Sequence, residues 1–128
     1  MFLFIDTCQK EKMEIVLLNF DCEIIDDQAL KIERDHSEKL LPLIERFLKK
    51  NQTELERIKA IGVASGPGSF TGVRVGVATA NALAYSLDIP VLSLKRKAGS
   101  KLVKRVFQNL NKHGFLKSAI PYYLHNPV

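Results

Sequence analysis

Apolar positions in this chain gather into short solid runs and then into longer stretches with helical spacing. Phe2 to Thr7 is almost wholly apolar, which predicts a strand buried on both faces. Gln9-Lys10-Glu11-Lys12 is a polar turn, and Met13 to Asn19 is a second strand. Glu23 to Ile32 carries Ile24, Ile25, Leu30 and Ile32 and reads as a third strand, broken around Asp26-Asp27. Three strands joined by short turns predict an antiparallel meander or a mixed sheet. Asp35 with Glu38 predicts a capping box opening a helix from His36 to Lys50. Pro42 lies unusually deep in that helix and predicts a kink in its first turns. Its apolar set, Leu40, Leu41, Leu43, Ile44, Phe47 and Leu48, is too wide for one core contact.

Thr53-Glu54-Leu55-Glu56 predicts a short capped turn, followed by a buried strand over 60–65. Ser65-Gly66-Pro67-Gly68-Ser69 is a tight turn with Ser69 placed to cap the helix that runs from Phe70 to Leu87. Gly72, Gly76, Ala80 and Ala84 recur at four-residue intervals and form a ridge without bulk. An interior glycine costs about 1 kcal/mol against alanine, so the spacing predicts a surface in very close contact with something. Asp88-Ile89-Pro90 ends the helix, and Val91 to Leu94 is another buried strand, completing a βαβ crossover. Lys95 to Leu110 reads as a basic helix and Ile120 to Leu124 as a last short strand.

At 128 residues the chain is long enough for one real core, and its 46% apolar and 26% charged content is ordinary for a soluble protein. No apolar run approaches the roughly 18–20 residues that span a bilayer. The opening residues lack the basic flank of a secretion signal, so the expected location is cytoplasmic. Cys8 and Cys22 do not make a disulfide framework and are expected to be reduced. Charge is uneven. Eight of the 19 basic residues follow Leu94 and no acidic residue does, which leaves residues 1–94 net negative within a chain of net charge +5. Lys95, Arg96, Lys97, Lys101, Lys104 and Arg105 are candidate contacts for RNA phosphates, with a solvated face as the alternative.

The run Gly66-Pro67-Gly68-Ser69-Phe70-Thr71-Gly72-Val73-Arg74-Val75-Gly76 resembles the signature of the TsaB family. Ile5-Asp6-Thr7-Cys8 is similar to that family's first strand, Asp35 to Ile44 to its first helix, and Pro121-Tyr122-Tyr123-Leu124 to its final strand. The resemblance covers residues 1 to about 94, then the last eight or so. It implies a lobe of the actin-like, sugar-kinase-like ATPase fold over residues 1–94, in the order βββαβαβ. Residues 95–128 would be the remnant of a second lobe, because the stretch from Leu94 to Pro121 is too short for a whole one. It also implies a non-catalytic subunit in threonylcarbamoylation of adenosine in tRNA. Such a subunit docks through its two helices on the catalytic TsaD, with the TsaE ATPase and tRNA reached through the complex. ATP and a divalent metal would belong to the partner, with no cofactor on this chain.

On that reading the partner interface comprises Leu40, Leu41, Ile44, Phe47, Leu48, Phe70, Gly72, Val73, Arg74, Gly76, Val77 and Ala80. The same surface would serve a homodimer of the chain alone. Two other functions stay open, a small nucleic-acid-binding protein using the basic segment and a nucleotide-hydrolysing enzyme. The turn after Asp6 has no glycine to cradle phosphates and the glycine motif lacks a P-loop lysine, both of which argue against the enzyme. Gly66, Gly68 and Ser69 form either a structural turn or the edge of an anion or nucleotide site. The histidines are too scattered for a metal site, and Ser69 has no histidine–acid pair for a hydrolase triad.

Overall fold

The computed structural model describes residues 1–94. Five strands form one mixed sheet: β1 Phe2–Asp6, β2 Lys12–Leu18, β3 Ile24–Lys31, β4 Ala60–Ala64 and β5 Val91–Leu94. The strand order is β3-β2-β1-β4-β5. β1, β2 and β3 pair antiparallel as the predicted meander, and β4 and β5 add in parallel on the other side of β1. Helix α1 (His36–Lys50) and the short 3-10 turn Leu55–Arg57 connect β3 to β4, and helix α2 (Phe70–Leu87) connects β4 to β5.

Register decides which residues meet. Leu3 lies level with Leu17 and Ile61, and Ile5 with Ile15 and Val63, so these side chains share one face. Thr7 continues that face and reaches α2, and α1 packs beside α2. The core therefore lies between the two helices and this side of the sheet. The opposite side carries Phe2, Phe4, Val16, Leu18 and Leu92, which are buried as well. Burial of β1 on both faces matches its solid apolar run.

The third strand is not broken at Asp26-Asp27. Asp26 pairs with Leu17 and Asp27 with Val16; the irregularity lies one step on, where Leu18 pairs with Ile24 and Ile25 bulges. Acidic residues are tolerated there because β3 is an edge strand of the described sheet. The capping box at α1 is also absent. The Asp35 carboxylate accepts the Glu33 N–H at 3.0 Å, outside the helix, and the Asp35 carbonyl takes the Glu38 and Lys39 N–H groups. Helix α1 continues through Pro42 to Lys50. At its end the Asn51 amide donates to the Phe47 carbonyl (2.9 Å) and to the Asp26 carboxylate (3.1 Å), with the Lys50 ammonium 3.3 Å from the same carboxylate. Cys8 and Cys22 are buried thiols, as expected.

Candidate partner-docking surface

The glycine motif is built around the end of β1. Gly66 takes φ 112°, a conformation that favours glycine, and turns the chain out of β4. The Ser69 N–H donates to the Cys8 carbonyl at 2.7 Å, and Ser69 Oγ accepts the Gly72 N–H at 3.3 Å, the predicted cap. The Thr7 hydroxyl, fully buried, donates to the Gly72 carbonyl. A Cβ at Gly72 would overlap the Thr7 carbonyl oxygen and lie 3.0 Å from His36 Nε2; one at Gly76 would overlap Thr7 Oγ1; one at Gly68 would overlap Cys8.

These contacts correct the interface read from the sequence. The close approach that Gly72 and Gly76 permit is to Thr7 and His36 of the same chain, and Ala80 is buried further along the same ridge. Val73 and Val77 sit in the core for the same reason. On α1, Leu40, Ile44, Phe47 and Leu48 are buried together with Leu43, because the wide apolar face must cover sheet and α2 at once. Of the twelve interface residues the spacing suggested, Leu41, Phe70 and Arg74 face outward.

Leu41 faces outward on α1, and Phe70 and Arg74 face outward on α2. Leu41 and Phe70 are each more than half exposed, and the Arg74 guanidinium lies 3.9 Å above the centre of the Phe70 ring. Tyr85 is 91% exposed four turns along α2. Between the helices Leu41, Ile44, Leu48, Leu55 and Leu83 line a groove of about 790 Å³, with Glu45, Lys49 and Glu54 at its edges. Tyr85 was missed because attention to the small-residue ridge hides the opposite side of α2; Leu83, seven residues on from Gly76, borders that ridge, and Leu55 lies on the 3-10 turn. Helical spacing from Phe70 through Arg74 and Ala78 to Tyr85 carries that signal.

The other candidate chemistry resolves into local structure. Asp6 Oδ1 accepts the Cys8 N–H at 2.9 Å, an ordinary strand-end bond. The carbonyls of Cys8 and Gln9 are taken by Ser69 N–H and His36 Nε2. The turn after β1 thus aims acceptors at the helix starts, the opposite of a phosphate cradle. No group of three metal-ligating side chains occurs among the described residues, and none of their helices is long and apolar enough to cross a membrane. Lys95, Arg96, Lys97, Lys101, Lys104 and Arg105, with the helix and final strand expected after Leu94, lie outside the described residues.

The sequence model of the family described as "TsaD: tRNA N6-adenosine threonylcarbamoyltransferase" matches residues 29–109. The chain belongs to this family, on its TsaB side. It is 38% identical over 89 residues to the tRNA threonylcarbamoyladenosine biosynthesis protein TsaB of Bacillus subtilis, which covers 70% of this chain and 38% of that protein. Over 62 residues it is 40% identical to the TsaB of Haemophilus influenzae, covering 48% of this chain and 26% of that one. The solved structure of YeaZ from Pseudomonas aeruginosa superimposes with a TM-score of 0.67 at 31% identity, over 73% of this chain and 43% of YeaZ. The chain therefore spans between a quarter and two fifths of the TsaB proteins it matches. The fold is a lobe of the actin-like, sugar-kinase-like ATPase class.

Proposed function

We propose that this lobe acts in tRNA threonylcarbamoyladenosine biosynthesis as a non-catalytic subunit, docking on a TsaD-like enzyme and holding it active. The observation that carries the reading is the outward face of α1 and α2. It sets an apolar groove between the helices and two exposed aromatic rings, Phe70 and Tyr85, along α2. Aromatic and arginine anchors on such a face are the residue types that concentrate binding energy in protein interfaces. A partner offering a matching helix pair would complete a four-helix bundle. ATP and the divalent metal would sit on the partner, and a TsaE-like ATPase and tRNA would join through the complex. Alone, the face would support a homodimer.

The test is calorimetric titration of the full chain into a TsaD-like protein. Leu41→Glu combined with Tyr85→Glu is expected to weaken association by about tenfold or more while leaving the circular dichroism unchanged, since both side chains are exposed. An unchanged dissociation constant would overturn the proposal.

A further inference from the structure

The β2–β3 turn leaves apolar side chains in solvent at the end of the sheet where β1 begins. Asn19 builds this turn: its side-chain oxygen accepts the Asp21 N–H at 2.9 Å and the Glu23 N–H at 3.0 Å. Cys22 turns the chain with φ 61° and buries its own side chain. Phe20 is left 58% exposed, its ring edge-on to Phe2 with centroids 5.7 Å apart. Phe2 pairs with Leu18 and Leu18 with Ile24, so these three side chains point to the sheet face opposite α1 and α2. Ile24 is 40% exposed there, and Ile25, at the bulge, 43%. Phe20 touches Phe2 and Ile24 sits beside Leu18, so both border the same apolar end of that face.

The rim of this patch is acidic. Asp21 and Glu23 stand in the turn, and Asp27, paired with Val16, lies on the same face as Ile24. All three are exposed, and none is in an ion pair among the described residues. An apolar patch rimmed by carboxylates fits an apolar segment carrying cations, because opposite charges select the partner and fix its register. The chain itself carries such a segment. Residues 95–117 hold eight basic residues and no acidic one, with Leu102, Val103, Val106 and Phe107 at helical spacing. Leu94 and Ile24 lie four strands apart across the sheet and about four residues apart along it, a span of about 23 Å at ~4.8 Å per strand and ~3.3 Å per residue. The eight residues from Lys95 to Leu102 reach up to about 26 Å. The segment can therefore meet the patch of its own chain.

We propose that this patch is an intramolecular docking site for the basic segment within residues 95–117. Phe20 and Ile24 receive its apolar side chains, and Asp21, Glu23 and Asp27 receive its lysines and arginines. The contact joins the net-negative part of the chain to the net-positive part. It uses the sheet face away from α1 and α2, so the groove between the helices stays open to a partner.

The test is zero-length carbodiimide cross-linking of the full chain, mixed from unlabelled and nitrogen-15-labelled protein and mapped by mass spectrometry. Amide links from Lys101 or Lys104 to Glu23 or Asp27 are expected, within single chains. Phe20→Ser with Ile24→Thr leaves every carboxylate and lysine in place. It is expected to cut the yield of these links about fivefold or more, the scale of losing part of one apolar side chain's burial. The circular dichroism is expected to stay unchanged, since both side chains are exposed. Absence of links to Asp21, Glu23 or Asp27 in the parent chain, or a yield that the double variant leaves unchanged, would overturn the proposal. Links found only between chains of different isotope would also overturn it and assign the patch to a second copy.

Discussion

Alanine at Gly76 pits helix propensity against packing, and the two effects differ enough to be separated. Replacing an interior helical glycine gains about 1 kcal/mol from propensity alone. The new Cβ would overlap Thr7 Oγ1, while Thr7 Cβ and Cγ2 stand at 3.3 and 3.4 Å. Thr7 is fully buried and its hydroxyl is committed to the Gly72 carbonyl, so turning it aside breaks that bond, worth about 1 kcal/mol. Overpacking of this kind costs about 1–3 kcal/mol. The net expectation for Gly76→Ala is a loss of about 1–3 kcal/mol. In a Thr7→Ala background the colliding oxygen is gone and the nearest remaining atom is a Cβ at 3.3 Å, so the same change becomes neutral or stabilising. A double-mutant cycle by urea unfolding, read from midpoints at constant slope, measures the coupling directly. If Gly76→Ala raises the midpoint and couples to Thr7→Ala by less than about 0.5 kcal/mol, the ridge is not packed on Thr7. It would then be open to another chain, as the spacing first suggested.

The chain alone is expected to release no phosphate from ATP, with or without tRNA; turnover that follows the protein and disappears in Asp6→Ala would contradict this. Changing Lys101, Lys104 and Arg105 to glutamine is expected to flatten the salt dependence of tRNA binding, by up to about three units of slope for duplex contacts. A slope near zero in the parent would leave those charges as a solvated face. The Asp26 carboxyl is held below its usual value chiefly by the Asn51 amide, with desolvation opposing the shift and the Lys50 ammonium adding to it. The stability it contributes is complete above the ordinary carboxylate pKa near about 4 and disappears as pH falls through the lowered value. Asn51→Ala is expected to raise the Asp26 titration midpoint seen by carboxyl NMR, and an unmoved midpoint would exclude the amide as the main cause.

Both helices and the strand series were legible because their signals are local. Ser69 caps α2 as its position suggests, and Asp88, in the left-handed conformation with φ 53°, ends it. The capping box at Asp35 misled because Glu33, two residues earlier, offers its N–H to the same carboxylate. The target of the glycine ridge was not legible. Spacing says that something comes close; Thr7, 65 residues away, carries no mark of its own beyond a hydroxyl at a strand end. For the same reason an interface read from apolar spacing claimed Leu40 and Phe47, which the lobe spends on its own core, and overlooked Tyr85.

The central position of β1 has a consequence for how the chain is made. Its antiparallel neighbour β2 follows at once, but its parallel neighbour β4 begins at Ala60, more than fifty residues later. At about 5–20 residues per second, a ribosome needs several seconds to deliver it. Throughout that interval the nascent meander presents Phe2-Leu3-Phe4-Ile5 with one row of backbone groups unpaired. An exposed apolar strand edge of this sort is a template for pairing with other chains. The N-terminal strand is therefore the segment a holding chaperone would be expected to guard, until β4 emerges and α2 closes over Thr7.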